Sequence, residues 1–311
     1  RNAGKKSSDF CKLYIEKPSR YSEAAVTMKV NVRKVLLIAN VEKDEAMEVT
    51  EDVRNYLESQ GIEVVTFAFR GKPAQPVLEN YDLAISLGGD GTVLFSSRIL
   101  STHSIPILPV NLGNFGFITE VTREEWVGAF ERYRSGMIEA GERLLIKVTV
   151  ERQERRIGEF IGLNDAVISA SGISKIVKLS VWLSDTFLGR YRADGVIVAT
   201  PTGSTAYSAA AGGPILHPEM DAMILNPICP FTLSHRPLVM SADETIVVEV
   251  ESQQRTGVIM TVDGQSDFPL IPGDRITVRP YEEKARIVRS NKRTFYEVLR
   301  TKLNWSGGHS A

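Results

Sequence analysis

The chain has 311 residues, 43% of them hydrophobic and 24% charged, and its 37 basic against 38 acidic side chains leave a formal net charge of −1. That composition suits an ordinary globular protein of about two domains and lacks the basic field that nucleic acid or an anionic membrane rewards. Two cysteines (Cys11, Cys229) and four histidines without paired spacing give no disulfide framework and no CxxC or HxxxH metal site.

In chain order, residues 1–32 read as a polar N-terminal extension without a secretory pattern. VLLIA at 35–39 reads as a buried strand, and Ala46, Val49, Val53, Tyr56 and Leu57 then recur at helical spacing up to the stop at Gly61. IEVVTFAF (62–69) and DLAISLGG (82–89) read as further strands, 92–100 as a helix and IPILPVNLG (105–113) as extended chain. Thr122 and Glu125 have the spacing of a capping box, opening a helix that carries Trp126, Val127, Phe130 and Tyr133 and ends at Gly136. Strands alternating with helices predict parallel pairing in a layered α/β domain over roughly 33–141.

The pattern changes near residue 142. RLLIKVTVE (143–151) alternates apolar and polar residues, and KLSVWLS (178–184), GVIVAT (195–200), TIVVEVE (245–251), VIMTV (258–262) and RITVRP (275–280) follow between turns. This predicts an all-β, sandwich-like domain over 142–285. FYEVLRTKLNW (295–305) reads as a helix in a C-terminal segment, 286–305. No apolar run approaches the ~18 residues of a membrane span, so a reduced, cytoplasmic setting without a membrane partner is expected.

Two segments carry chemistry. Leu87-Gly88-Gly89-Asp90-Gly91-Thr92 ends a strand in glycines, which lets a ligand approach the backbone and points amides at anionic oxygens. Asp90 then sits at the carboxyl end of a strand in an open α/β sheet, where ligands of such folds lie. A fixed carboxylate there suits phosphoryl transfer, which needs a group to orient the attacking hydroxyl. The plain alternative is a Gly-rich turn with Asp90 as helix N-cap. The second segment, Pro201-Thr202-Gly203-Ser204-Thr205-Ala206-Tyr207-Ser208-Ala209-Ala210-Ala211-Gly212-Gly213-Pro214, reads as a hydroxyl-rich turn feeding a helix of small residues. Exposed amides and hydroxyls at such a helix start make a phosphate or sugar site; tight packing is the alternative. Taken singly, Asn164-Asp165 reads as an Asx-turn and Asp263-Gly264 as a hairpin turn. Lys175, Arg192 and Gln265 read singly as solvated strand residues, and His235 and Arg236 as loop residues.

GGDGT (88–92), NLGNFGF (111–117), Asn164-Asp165, DGVIVATPTGSTAYSAAAGGP (194–214), PFTLSHRPLV (230–239) and VDGQ (262–265) occur in this order, and over about 33–305 the chain resembles NAD kinases. The 194–214 stretch is highly specific; GGDGT is shared with lipid kinases and phosphofructokinases. A GxxxxGK[ST] P-loop is absent. The resemblance implies an N-terminal Rossmann-like α/β domain, a C-terminal β-sandwich-like domain, and a C-terminal helix packed back on the first. It implies transfer of the γ-phosphate of ATP to the 2′-hydroxyl of the adenosine ribose of NAD, with Mg²⁺ carried on phosphate oxygens and water, not on protein side chains.

By the same resemblance Asp90 is the general base, Gly91 lies against the dinucleotide, and Gly88, Gly89, Gly91 and Thr92 form the phosphate loop. Asn164 bonds the adenine and Asp165 the ribose hydroxyls. Thr205, Ala206 and Tyr207, with Ser208, Ala209 and Ala210 behind them, form the wall of the NAD site. Lys175, Arg192 and Asp194 meet the nicotinamide half across a subunit contact in a homodimer or homotetramer, and Gln265 is a further NAD contact. Many members have Asn-Glu where this chain has Asn164-Asp165, which shortens the carboxylate's reach. Two other readings share the motifs: a lipid kinase, which needs a path for an acyl chain, and a silent dinucleotide sensor, which would lack the carboxylate at position 90.

Overall fold

The computed structural model describes residues 29–305, apart from 43, 72, 75, 114, 115, 173, 174, 233 and 291. Most of the N-terminal extension, with Cys11, and Asn114-Phe115 of the NLGNFGF motif therefore lie outside the described residues.

The first sheet is built on Lys34–Asn40, flanked in parallel by Glu63–Phe69 on one side and Leu83–Gly88 on the other, with Ile107–Asn111 beyond. Both of its faces are covered, which is why its strands are near-continuous apolar runs. Val35, Leu37 and Ala39 pack with Ala46, Val49, Val53 and Leu57 of the helix Asp44–Ser59 and with Trp126, Ala129 and Phe130 of the helix Trp126–Arg134. Leu36 and Ile38 point the other way, onto Phe95, Ile99 and Leu100 of the helix Asp90–Leu100. The sheet is completed from far along the chain: Ala285–Val288 pairs in parallel with Ile107–Asn111 and antiparallel with Ala140–Arg143.

The remaining strands make two six-stranded antiparallel sheets. One holds Ile146–Arg152, Val177–Leu183, Ile246–Val250 and Arg275–Pro280 among its members, the other Asp165–Ala170, Gly195–Ala199, Ala222–Ile228 and Val258–Val262. Val148, Leu179 and Val248 from the first share one core with Ile168, Val196, Val198 and Met260 from the second. That is a β-sandwich, as the alternating pattern predicts. The strands Arg155–Gly162, Thr186–Ala193 and Leu238–Ser241 were not predicted; each exposes much of its length, so the apolar alternation that marks a strand is weak there.

Two local expectations are corrected. The Thr122 hydroxyl bonds Glu124 instead of the helix backbone, and only the return half of the expected box forms, from Thr122 N–H to Glu125 at 3.3 Å. A complete capping box lies instead at Thr294 and Glu297, opening the helix Phe295–Lys302. Arg293, just before it, forks onto Glu125 at 3.0 and 3.1 Å, and Val298 and Leu299 are buried. The helix expected after Ser204 shrinks to a 3₁₀ turn, Gly203–Thr205, and one turn, Tyr207–Ala210. No helix among the described residues is long and apolar enough to cross a membrane.

Candidate active site

Asp90 opens the helix that follows the Gly88-Gly89 turn, but it does not cap that helix. Its Oδ1 accepts from Ile118 N–H (3.2 Å), Thr119 N–H (3.0 Å) and the Thr119 hydroxyl (2.8 Å), and its Oδ2 accepts only from Phe117 N–H (2.9 Å). Thr119 is itself held by Asn111, whose Nδ2 donates to its hydroxyl at 3.0 Å. Gly116 makes this possible, because a Cβ there would fall 1.9 Å from Asp90 Oδ1. Four donors thus fix the carboxylate plane, and among the described residues Oδ2 takes one of them.

The neighbouring glycines differ in what they serve. A Cβ on Gly88 would meet the Thr92 hydroxyl at 2.2 Å, so that glycine is required by packing. On Gly89 a Cβ would meet nothing within 4 Å, and on Gly91 only Gln265 Nε2 at 3.7 Å. Packing alone would tolerate a side chain at both, so neither glycine is fixed by its neighbours. Among the described residues nothing accepts a hydrogen bond from the amides of Gly89, Asp90 and Gly91. Free amides at a helix start favour anionic oxygens.

Asn164 and Asp165 are placed by Asp263, which stands in the turn at Val262–Gln265 with φ of 53°, beside Gly264 at 61°. That turn is the Asp-Gly hairpin turn the sequence predicts. The Asp263 carboxylate also reaches back to accept from the N–H of Leu163 (2.9 Å), Asn164 (2.7 Å) and Asp165 (3.2 Å). Burial pushes the Asp263 carboxyl above its ordinary range, opposed by those three amides and by Arg98. Asp165 is 4% exposed, and burial together with the Asp263 charge pushes its carboxyl up to about 7.

The 200–213 loop is bound tightly to this corner. Thr200 N–H donates to the Asn164 carbonyl at 2.8 Å, and a Cβ on Gly203 would fall 2.0 Å from the same oxygen. Ser204 is turned inward to Pro201 and Leu216, and Ser208, fully buried, accepts from Asn226. Thr205 and Ala206 are half-buried, and Tyr207 and Ala210 are exposed. The packing reading therefore holds for Ser204 and Ser208, while Thr205, Ala206, Tyr207 and Ala210 keep some access to solvent. Two buried oxygens of this corner have no partner among the described residues, Asn164 Oδ1 and Thr202 Oγ1. Buried polar atoms are seldom left so.

Phe117 and Ile118 face Thr202 and Thr205 across a slot of about 20 Å³, and Glu120, Arg143, Pro218 and Phe295 line both that slot and a cleft of about 810 Å³. The slot is too narrow for a nucleoside unless its walls part. Sequence reasoning overlooked Phe117, Thr202, Asp263 and Arg98 as site residues. Arg98 donates to Gln265 Oε1 at 2.9 Å, and Gln265 Nε2 donates to the Gly91 carbonyl at 2.8 Å. Lys175, Arg192 and Asp194 are exposed and lie away from this corner. Arg192 and Asp194 precede Gly195–Ala199, whereas Asn164 and Thr200 flank its other end, where Ala199 pairs with Asp165. Five strand residues separate the two sets by about 17 Å. Among the described residues no three His, Cys, Asp or Glu side chains converge as metal ligands.

Residues 70–138 match the model of the ATP-NAD kinase N-terminal domain, and residues 163–290 match that of the ATP-NAD kinase C-terminal domain. An NAD kinase of Treponema denticola is 40% identical over 280 residues, covering 90% of this chain and 99% of that protein. The structure of yeast NADH kinase complexed with NADH superposes with a TM-score of 0.78 at 26% identity, covering 90% of this chain and 89% of the other. An NAD kinase from Archaeoglobus fulgidus in complex with ATP gives a TM-score of 0.69 at 26% identity, covering 88% and 100%.

Proposed function

The chain belongs to the ATP-NAD kinase family and is an enzyme that phosphorylates NAD with ATP, and on that premise we propose that Asp90 is its general base. The observation that carries the assignment is the carboxylate immobilised by four donors, with one position on Oδ2 and three neighbouring amides unclaimed among the described residues. The adenosine ribose 2′-oxygen attacks the γ-phosphorus, the new O–P bond forms as the bond to the β–γ bridging oxygen breaks, and ADP leaves with that electron pair. The hydroxyl proton passes to Asp90 Oδ2. The amides of Gly89, Asp90 and Gly91 meet the phosphoryl oxygens as charge shifts among them.

Asn164 Oδ1 and Thr202 Oγ1 receive donors of the adenosine, Asp165 the ribose hydroxyls, and Thr205 to Tyr207 close the wall. A divalent cation such as Mg²⁺ would enter with ATP and neutralise its phosphate oxygens. A lipid kinase and a silent sensor are both disfavoured by family membership, and Asp90 is in place. The direct test supplies NAD, ATP and Mg²⁺ and reads NADP with an NADP-specific dehydrogenase. NADP is expected to accumulate in step with ADP, and ADP without NADP would reject the reading.

Asp165 gives the reaction a pH dependence. A ribose hydroxyl donates better to an ionised carboxylate, and the Asp165 carboxyl titrates at about 7. Affinity for NAD is therefore expected to rise between about pH 6 and 8, with no such rise in Asp165→Asn, as read by calorimetric titration. Stability runs the other way. The folded chain keeps this proton to higher pH than the unfolded chain, where an Asp titrates near 3.9, so this group's contribution falls from about pH 4 through 7. Equal NAD affinity at both pH values would exclude Asp165 from ribose binding.

Arg192 and Asp194 lie beyond the far end of the strand Gly195–Ala199 from Asn164, and Lys175 is exposed. We assign them to the nicotinamide half of a dinucleotide held by a second copy, in a homodimer or homotetramer. Exposed Phe231, which lies under the Arg192 guanidinium at 4.8 Å, and exposed Leu238 and Val239 give that face an apolar character. Mixing Asp90→Asn with Arg192→Ala chains should restore activity neither has alone; a strictly monomeric, active enzyme would defeat the assignment.

A further inference from the structure

Asn111 ends the strand Ile107–Asn111, in register with Gly88, the last residue of the strand that leads to Asp90. It is 4% exposed, and Thr119 is fully buried. The far end of the Asn111 amide fixes its orientation. Its Oδ1 accepts from Gly113 N–H at 2.7 Å, and a turned amide would set two donors against each other there. Its Nδ2 therefore faces the Thr119 hydroxyl, and at 3.0 Å it can only donate.

That contact decides what the hydroxyl does. A threonine hydroxyl holds one hydrogen and two lone pairs. Asn111 takes a lone pair, and the hydrogen goes to Asp90 Oδ1, 2.8 Å away. To accept a hydrogen from Oδ1 instead, the hydroxyl would have to turn its own hydrogen off its acceptor in a fully buried place. The N–H groups of Ile118 and Thr119 at the same oxygen can only donate. A proton on Oδ1 would thus meet three donors, whereas on Oδ2 it meets Phe117 N–H. Packing alone would be served as well by valine, which has the shape of threonine and would leave Asn111 Nδ2 facing a methyl group.

We infer that Asn111 and Thr119 are positioning residues: Asn111 keeps the Thr119 hydroxyl hydrogen aimed at Asp90 Oδ1, which reserves Oδ2 for the ribose proton. This rests on Asp90 being the base. The proton leaves the ribose oxygen for Oδ2 as that oxygen's electron pair forms the bond to phosphorus, and Oδ1 keeps its three donors throughout. Without the hydroxyl the carboxylate is freer to turn, and misplacing a reacting group by about 1 Å can cost a hundredfold in rate.

The test measures kcat and the NAD dissociation constant for Thr119→Val, Thr119→Ser and Asn111→Asp. Thr119→Val is expected to lower kcat about 10- to 100-fold, with NAD affinity within about threefold. Thr119→Ser remakes the bond to the carboxylate and should bring kcat back to within about threefold of native. A packing role would give the opposite order, because serine lacks the methyl group that valine keeps. Asn111→Asp retains the acceptor for Gly113 and, at a pH where the new carboxyl is ionised, puts an acceptor where the donor was. The hydroxyl hydrogen is then drawn off Asp90, so kcat should fall at least as far as in Thr119→Val, and adding Thr119→Val should cost little more. Serine slower than valine, native kcat in Thr119→Val, or losses at the two positions that multiply would overturn the assignment. The serine–valine order decides it even if Asn111→Asp fails to fold. Full turnover of Asp90→Asn would bring down the base reading and this inference with it. An inactive Asp90→Asn beside native kcat in Thr119→Val would reject the positioning role alone.

Discussion

Asp90→Asn is expected to lower kcat at least a hundredfold, the scale for removing a positioned base, while NAD binding stays within a few-fold. The loss at the chemical step follows from the atom concerned. An amide oxygen can still take the three bonds now made to Oδ1 by Ile118 and Thr119, so the loop 117–119 and the wall around the nucleotide persist. The other position becomes an NH₂ that faces Phe117 N–H and cannot accept the substrate proton. One lost hydrogen bond costs about 1 kcal/mol, so melting should change little. Measuring kcat, NAD affinity and melting together separates the cases: full turnover removes Asp90 from the mechanism, and a large fall in melting temperature recasts it as a structural residue.

For Asp263→Ala the large effect is on stability, about 3–5 kcal/mol. Three amides, those of buried Leu163 and Asp165 and half-buried Asn164, lose their acceptor. Alanine must also adopt the φ of 53° that aspartate tolerates more readily. In a chain of this size the fall in melting midpoint is about 10 °C. Asp263→Asn isolates the charge. It tolerates the same φ and keeps one acceptor, and it relieves Asp165 of a neighbouring carboxylate, so the Asp165 carboxyl should titrate lower. Melting curves of the two variants, with the pH dependence of NAD binding, check both statements. An alanine variant as stable as the native chain would mean that the three amides find other acceptors.

Much of this was legible in the sequence where one segment is sufficient. The run 35–39 reads as a two-sided buried strand, and the helix over 44–59 follows from its apolar spacing. The strand ending in Gly88-Gly89 with a helix start after it was likewise legible, and the strand Leu83–Gly88 and the helix Asp90–Leu100 are where it puts them. The local reading failed where a side chain answers to distant backbone. Asp90 looks like an N-cap until its bonds to residues 27 to 29 positions later are seen. Asp263 is correctly a turn residue, yet its carboxylate serves amides about a hundred positions earlier. Gln265 taken singly passes for a solvated strand residue, and its 2.9 Å contact with Arg98, 167 positions away, has no signal in the sequence. The helix expected after Ser204 was cut to one turn by tertiary packing, where Ser208 is gripped by Asn226 and Gly213 sits where any Cβ would strike that serine.

A crystal structure with NAD bound would probe the role of Asp90 at the reacting atoms themselves. Asp90 Oδ2 should lie within about 2.6–3.2 Å of the adenosine ribose 2′-hydroxyl, with Oδ1 still held by Thr119. A ribose seated in the corner of Asn164 and Thr202 with its 2′-hydroxyl turned from Asp90, beyond reach of either carboxylate oxygen, would contradict that role.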